Sequence, residues 1–229
     1  MNKDFVLKRF NSLAPSYDDY VLGVEGYSET IERIIELAEP EKSDTVLDLG
    51  TGTGALSLRL APKVRRVIAR DISEQMLKVA REKAQKKNVK NIDFDFGSFS
   101  EPNCGEKVDI IVSNLAFHHL TDEEKRNAIS VWYGLLKPGG RVILGDHMWF
   151  FDHRKDPERK ERIIREIVKR LGDPNEPVEE QIEEVKKRDH PSYVHDLKKF
   201  FEEAGFKVER IEETAPQVMG IISARKPTQ

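Results

Sequence analysis

The chain carries a single cysteine, Cys104, in 229 residues. That excludes an intrachain disulfide and any zinc site built on cysteine thiolates, and it points to a reducing compartment. No apolar run approaches the length of a membrane span, and no apolar stretch follows Met1-Asn2-Lys3-Asp4-Phe5. The expectation is therefore a cytoplasmic protein without a membrane span. An excess of charge of one sign is also missing: charged residues make up 34% of the chain, yet the formal net charge is −3. Such balance speaks against nucleic acid or a membrane surface as the main partner. There is no internal repeat and no low-complexity segment. What the chain does have is 38% hydrophobic residues, enough for the core of one domain of generous size.

Those apolar residues alternate between two periods. Residues 25–39 read as an amphipathic helix with Ile31, Ile34, Ile35 and Ala38 on one face and Pro40 beyond its end. Strands are expected at 45–49, 66–71, 92–96, 108–113 and 141–146, with helices near 54–61, 74–87 and 122–136 between them. Ser73 suits an N-cap, Thr121 with Glu124 forms a capping-box pattern, and Lys137-Pro138-Gly139-Gly140 predicts a turn. Strand and helix in this alternation indicate a parallel sheet covered by helices on both faces. After His147 the pattern changes. Residues 154–189 are dense in both charges, with one apolar stripe (Ile163, Ile164, Ile167, Val168, Leu171) and a break at Gly172-Asp173-Pro174-Asn175. This reads as two inserted helices, either a solvated hairpin or a lid. A further helix at 193–204, capped by Ser192 and stopped by Gly205, precedes two strands near 206–212 and 217–225. Their short connection, Glu213-Thr214-Ala215-Pro216, permits only an antiparallel pair.

The segment Val46-Leu47-Asp48-Leu49-Gly50-Thr51-Gly52-Thr53-Gly54 runs an apolar strand into a loop with glycine at every second position. Glycines let a ligand approach backbone N–H groups closely. A P-loop would need Gly-Lys-Ser/Thr, which is absent. Gly50, Gly52 and Ala55 satisfy a dinucleotide fingerprint formally. Asp48 decides against it, because a carboxylate there repels pyrophosphate and suits a cofactor that carries a cation instead.

At these residues the chain resembles the class I S-adenosylmethionine-dependent methyltransferases, whose first motif Val46–Gly54 matches. In pattern it is most similar to the ubiquinone/menaquinone-biosynthesis type, through Arg9-Phe10-Asn11-Ser12-Leu13-Ala14-Pro15-Ser16-Tyr17-Asp18. Further matches are Asp71 with Ile72 to Leu77, Phe96 to Phe99, Val108 to Asn114 with the following loop, and Leu135 to Arg141. The resemblance implies a Rossmann-like, seven-stranded, mostly parallel sheet with a C-terminal antiparallel pair. It implies one methyltransferase domain over 1–229, with an N-terminal helical cap at 1–44 and a helical insertion or lid at 147–192. The cofactor would be S-adenosylmethionine, leaving as S-adenosylhomocysteine. Asp48, Gly50, Thr51, Gly52 and Gly54 would bind it from the first loop. Asp71 would meet the ribose, and Ile72 and Met76 the adenine. Gly97, Ser98 and Phe99 stand at the third-strand loop, where Ser98 replaces the usual Asp, and Asn114, Leu115 and Ala116 at the fourth. Tyr17 would close the site.

Methyl transfer asks the protein mainly to align nucleophile and methyl group and to exclude water. A base is needed only if the nucleophile must lose a proton. His118, His119 and His147 are the candidates. Adjacent histidines suggest a metal, but sequential side chains point in different directions and no third ligand is evident, so no metal is expected. His190 and His195 read as surface or lid residues. The loop after the fourth strand lacks the Asn/Asp-Pro-Pro-Tyr/Phe pattern of enzymes that methylate planar amino groups, which favours a small-molecule acceptor. RNA- or protein-directed methylation, and a non-catalytic regulator that senses the cofactor, remain as other readings of the same cofactor half.

Overall fold

The protein is described here from a computed structural model covering residues 3–22, 26–173, 175–215 and 218–228. The chain opens with α1 (Lys3–Leu13), α2 (Tyr17–Leu22) and α3 (Tyr27–Ala38). There follow β1 (Thr45–Leu49), α4 (Ala55–Leu60), β2 (Arg66–Asp71), α5 (Glu74–Lys86), β3 (Ile92–Phe96) and β4 (Val108–Asn114). Next are α6 (Asp122–Leu135), β5 (Leu136–His147), α7 (Pro157–Leu171), α8 (Val178–Arg188), α9 (Val194–Glu203), β6 (Lys207–Ala215) and β7 (Met219–Arg225). The sheet order is β3-β2-β1-β4-β5-β7-β6. Strands β1 to β5 pair in parallel, and β7 runs antiparallel to both β5 and β6. The seven-stranded, mostly parallel, Rossmann-like fold is as expected.

Side chains alternate across the central strands because strand period is two. Val46 joins Ile31, Ile34, Val67, Ile110 and Ile143 in one apolar layer. Its neighbour Leu47 joins Ile68, Ile111, Trp132, Phe200 and Phe201 in the layer on the opposite face. The strand order reverses between β1 and β4, so the loops leaving their carboxyl ends diverge and open a crevice. Open α/β sheets bind ligands there.

Local chemistry fixes the helix starts. Ser73 accepts from the Met76 amide, and Thr121 and Glu124 form the reciprocal capping box. One expectation is corrected. Ser192 does not cap α9: its hydroxyl donates to Asp122 Oδ1 at 2.6 Å and accepts from Lys125 Nζ at 2.7 Å, while Tyr193 occupies the cap position. Lys137–Gly140 turns within the span of β5, as expected: these residues stand opposite Asp109 alone, and Gly139 takes a left-handed φ of 78°. The irregularity is absorbed as a register shift against β4, between Val108 and Ile110. A Cβ on Gly140 would lie 2.8 Å from the Asp109 carbonyl oxygen, so this backbone packs too closely on β4 for a larger residue. α3 begins at Tyr27, and residue 25, where its start was expected, lies outside the described residues. So do Pro174, in the expected break, Pro216, in the expected final connection, and Gln217, at the start of the expected last strand.

The insertion forms a small core of its own. Ile164, Val168 and Ile182 pack on Trp149, which follows β5. No helix among the described residues is long and apolar enough to cross a membrane.

Candidate active site

Gly50, Gly52 and Gly54 adopt φ of 69°, 53° and 80°, in the left-handed region that favours glycine. At Gly50 the need is also steric. A Cβ there would stand 2.5 Å from Ala116 Cβ and 3.2 Å from Phe99 Cζ. That one position therefore brings together the loops after β1, β3 and β4. Asp48 lies beneath the loop rather than at its mouth: it is 1% exposed. Its Oδ2 accepts from the Thr51 hydroxyl at 2.8 Å and the Ser57 hydroxyl at 2.5 Å. Burial pushes its carboxyl up to about 6 despite those two donors.

Asp71, at the end of β2, accepts from the Gly52 amide on Oδ2 and the Ser73 amide on Oδ1, both at 2.8 Å. Burial raises its carboxyl above the usual range against those donors. Ile72 is half-buried beside it, whereas Met76 is 1% exposed and sunk into the core under α5. In the third-strand loop, the Gly97 amide donates to the Asp71 carbonyl at 3.1 Å. The Ser98 hydroxyl accepts from the Glu101 amide at 3.0 Å, and so holds its own turn. The Phe99 carbonyl accepts from Trp132 Nε1 at 2.9 Å. At the end of β4, Asn114 Oδ1 is buried without a hydrogen-bond partner, and Leu115 takes a left-handed φ of 52°.

The N-terminal segment folds over these loops. Asp18 accepts from the Thr53 hydroxyl at 2.6 Å and from Lys83 Nζ at 2.7 Å. Asn11 Oδ1 accepts from the Ser73 hydroxyl at 2.7 Å. Tyr17 sits over the glycines, its Cε1 3.8 Å from where a Gly52 Cβ would be. Burial and nearby carboxylates drive its phenol well above the usual range, so it is neutral at physiological pH.

The three expected histidines converge. Phe117–His119 forms a single 3-10 turn, and the His118 ring lies 4.1 Å from His119 and 4.8 Å from His147, centre to centre. Asp146, at the end of β5, accepts the His118 amide at 3.0 Å and binds His118 Nδ1 at 2.5 Å. His118 and His147 hold the Asp146 carboxyl below its usual range against the cost of burial. The ionised carboxylate therefore makes Nδ1 the donor. Burial, with His118 next, lowers both His119 and His147 to about 4.

One residue the sequence reading passed over completes the group. Asp189, at the end of α8, lies 3.0 Å from His119 Nδ1 and 3.8 Å from His118 Nε2. Arg188 grips it with two hydrogen bonds of 2.7 Å. Its carboxyl falls well below the usual range, with the Arg188 and His119 contacts outweighing burial. The only signal in the sequence was Arg188-Asp189-His190-Pro191, where a charge-rich helix stops. His190, expected on the surface or in a lid, is half-buried, and its amide donates to the His118 carbonyl at 2.7 Å. Buried Lys125 pins this stretch to α6 through the His190 carbonyl and Ser192.

These groups wall a cavity of ≈ 1270 Å³ between the N-terminal segment, the β4 and β5 loops and the inserted helices. All three expected catalytic histidines line it, and from the expected cofactor set it reaches Tyr17 and Leu115. The basic residues Lys78, Arg81, Lys83 and Lys86 lie on α5, whose inner face buries Met76, Leu77, Ala80 and Ala84.

Comparison with known proteins agrees with this geometry. Residues 46–140 match the family described as a methyltransferase domain. An uncharacterized methyltransferase of Geobacillus sp. (strain WCH70) is 35% identical over 219 residues, 91% of this chain and 92% of that protein. One from Bacillus velezensis (strain FZB42) is 31% identical over 214 residues, covering 90% and 91%. Among solved structures, magnesium protoporphyrin IX methyltransferase from Synechocystis PCC 6803 with bound S-adenosylhomocysteine superposes with TM-score 0.74 at 20% identity, covering 98% of this chain and 100% of that one. The chain belongs to the class I S-adenosylmethionine-dependent methyltransferases.

Proposed function

We propose that this methyltransferase acts on a small-molecule acceptor held in the cavity beside the histidines. The observation that carries the reading is the position of that cavity. It is lined by Tyr17 and Leu115 beside the cofactor loops and by His118, His119 and His147, so donor and acceptor would face each other across the end of β4.

The residues present fit the cofactor. Gly52 leaves open space at the loop, where a Cβ would meet only Tyr17, at 3.8 Å, and Asn114 Oδ1 is a buried acceptor still without a donor. When bound, S-adenosylmethionine supplies a methyl group already activated by its sulfonium. In this reading Asp71 receives the ribose hydroxyls, and Ile72, Gly97, Ser98 and Phe99 border the adenine, with Met76 backing them from the core. Asp48 and Thr51 hold the first loop, while Gly52, Gly54, Asn114 and Ala116 supply backbone and carbonyl contacts. Tyr17 closes over the loop as a neutral phenol, which excludes water without placing an anion near the reacting centre. Residues 147–192 act as a lid on the acceptor, and 1–44 as a cap on the cofactor.

Incubating the protein with methyl-labelled S-adenosylmethionine and a cell extract, then fractionating, tests the acceptor class. Label in the low-molecular-weight fraction is expected. Label confined to RNA or protein would overturn the small-molecule reading, and tight S-adenosylhomocysteine binding with no label transferred anywhere would point to a regulator.

A further inference from the structure

We propose that His118, His119 and Asp189 form a binding site for a divalent transition ion of the zinc class, set in the wall of the acceptor cavity. The role given to the ion below rests on the small-molecule reading above; the binding itself does not. The objection from sequence was that neighbouring side chains diverge and a third ligand is missing. Both parts fail. The 3-10 turn brings the two imidazoles to 4.1 Å between centres, and Asp189 arrives from the end of α8.

One ligand atom from each residue lies within 4.8 Å of the others. Ligands of a tetrahedral zinc ion, at its usual bond lengths, stand about 3.3 Å apart. The distances from Asp189 Oδ1 are 3.0 Å to His119 Nδ1 and 3.8 Å to His118 Nε2, and all separations in the set fall within 4.8 Å, so a small turn of one imidazole brings the three ligand atoms to that spacing. Two independent observations point the same way. First, His119 is buried with no hydrogen-bond partner on Nε2, and its Nδ1 meets only the Asp189 carboxylate, at 3.0 Å. A buried imidazole left so is costly, and it needs an explanation. Second, His118 is already oriented as metal-binding histidines are. Its Nδ1 is held by Asp146 at 2.5 Å, which leaves Nε2 toward the cluster, the carboxylate–histidine–metal arrangement.

Charge then says what the ion would hold. With ligating imidazoles neutral, the surroundings carry the two carboxylates of Asp146 and Asp189 and the guanidinium of Arg188. A divalent ion turns this slight negative excess positive. An anionic group from the acceptor in the open position, on the cavity side, restores balance. The acceptor class is therefore one with an acidic X–H: a thiol, phenol or enol. On reaching the ion such a group releases its proton to solvent. The X–C bond then forms as the sulfonium C–S bond breaks, the electron pair stays on sulfur, and no side-chain base is consumed.

The test uses the full chain stripped of metal, titrated with Co²⁺ and followed by its visible spectrum, with Zn²⁺ competition by calorimetry. One equivalent of Co²⁺ with the intense bands of a four-coordinate site, displaced by Zn²⁺, is expected. His119→Ala and Asp189→Asn should each weaken binding at least about 100-fold. Asp146→Asn, which touches only the second layer, should weaken it roughly 10- to 100-fold. Retained S-adenosylhomocysteine binding shows that each variant is folded. A wild-type chain that binds S-adenosylhomocysteine but gives no Co²⁺ spectrum overturns the site, as does a spectrum undiminished in both ligand variants. Because the ion is read without cofactor, uptake of Co²⁺ by a chain that transfers no methyl group upholds the site and overturns only the acceptor reading.

Discussion

At the scale of single residues, Asp48 shows how an organised loop stores a cost. Its carboxylate gathers two hydroxyls, yet burial holds its pKa at about 6, above the usual carboxylate value. The folded state therefore binds its proton more tightly than the unfolded chain does. That contribution to stability is present below about pH 4 and is lost as pH rises through 6. Asp71, also raised by burial, adds to the same slope. Asp48→Asn keeps an oxygen for Thr51 and Ser57 and removes the titration. The variant should gain on the wild type as pH rises from 4 to 7, by up to about 3 kcal/mol, read from denaturant melts of both proteins. A constant difference across that range would contradict the account. The acid and the glycines were legible in sequence because their spacing is local. That Asp48 faces down into the loop was not, because its partners depend on how the loop folds.

At the scale of elements, the caps at Ser73 and Thr121 could be read directly, since each lies within four residues of its partner. The failure at Ser192 has the opposite origin. A serine before a helix looks like a cap, but here a buried lysine and an aspartate from another helix take the hydroxyl. The contact of α2 with the glycine loop was expected at Tyr17, and the structure adds its anchor, Asp18 on Thr53 and Lys83. Because that anchor is partly solvent-exposed, its net worth is modest. Asp18→Ala should weaken S-adenosylhomocysteine binding by about 1 kcal/mol, roughly fivefold, as measured by calorimetry, with little change in melting temperature. Unchanged affinity would mean that the N-terminal segment packs beside the cofactor loops without helping to close them.

At the scale of the whole molecule, the crevice follows from topology: strand order reverses between β1 and β4, and alternation of strand and helix is enough to predict such a sheet. The acceptor side is different in kind. Asp189, the pair His118 and His119, and the stretch from His147 to Trp149 come from segments far apart in sequence, and no local periodicity encodes their meeting. The inserted helices depend on a core of few buried residues, with Trp149, 3% exposed, at its centre. The sheet, by contrast, is covered on both faces. Segments with so little buried apolar contact open without global unfolding, which a lid needs and a scaffold does not. Hydrogen exchange should accordingly show α7 and α8 exchanging well before β1 and β4. Trp149→Ala removes the side chain on which both helices pack, a change that typically costs about 3–5 kcal/mol in a core. Exchange in α7 and α8 should accelerate by at least roughly 30-fold, or about 2 kcal/mol of local stability, with β1 and β4 little affected. Equal acceleration in the strands would show instead that the insertion is built into the same cooperative unit as the sheet, and residues 147–192 could not then move independently as a lid.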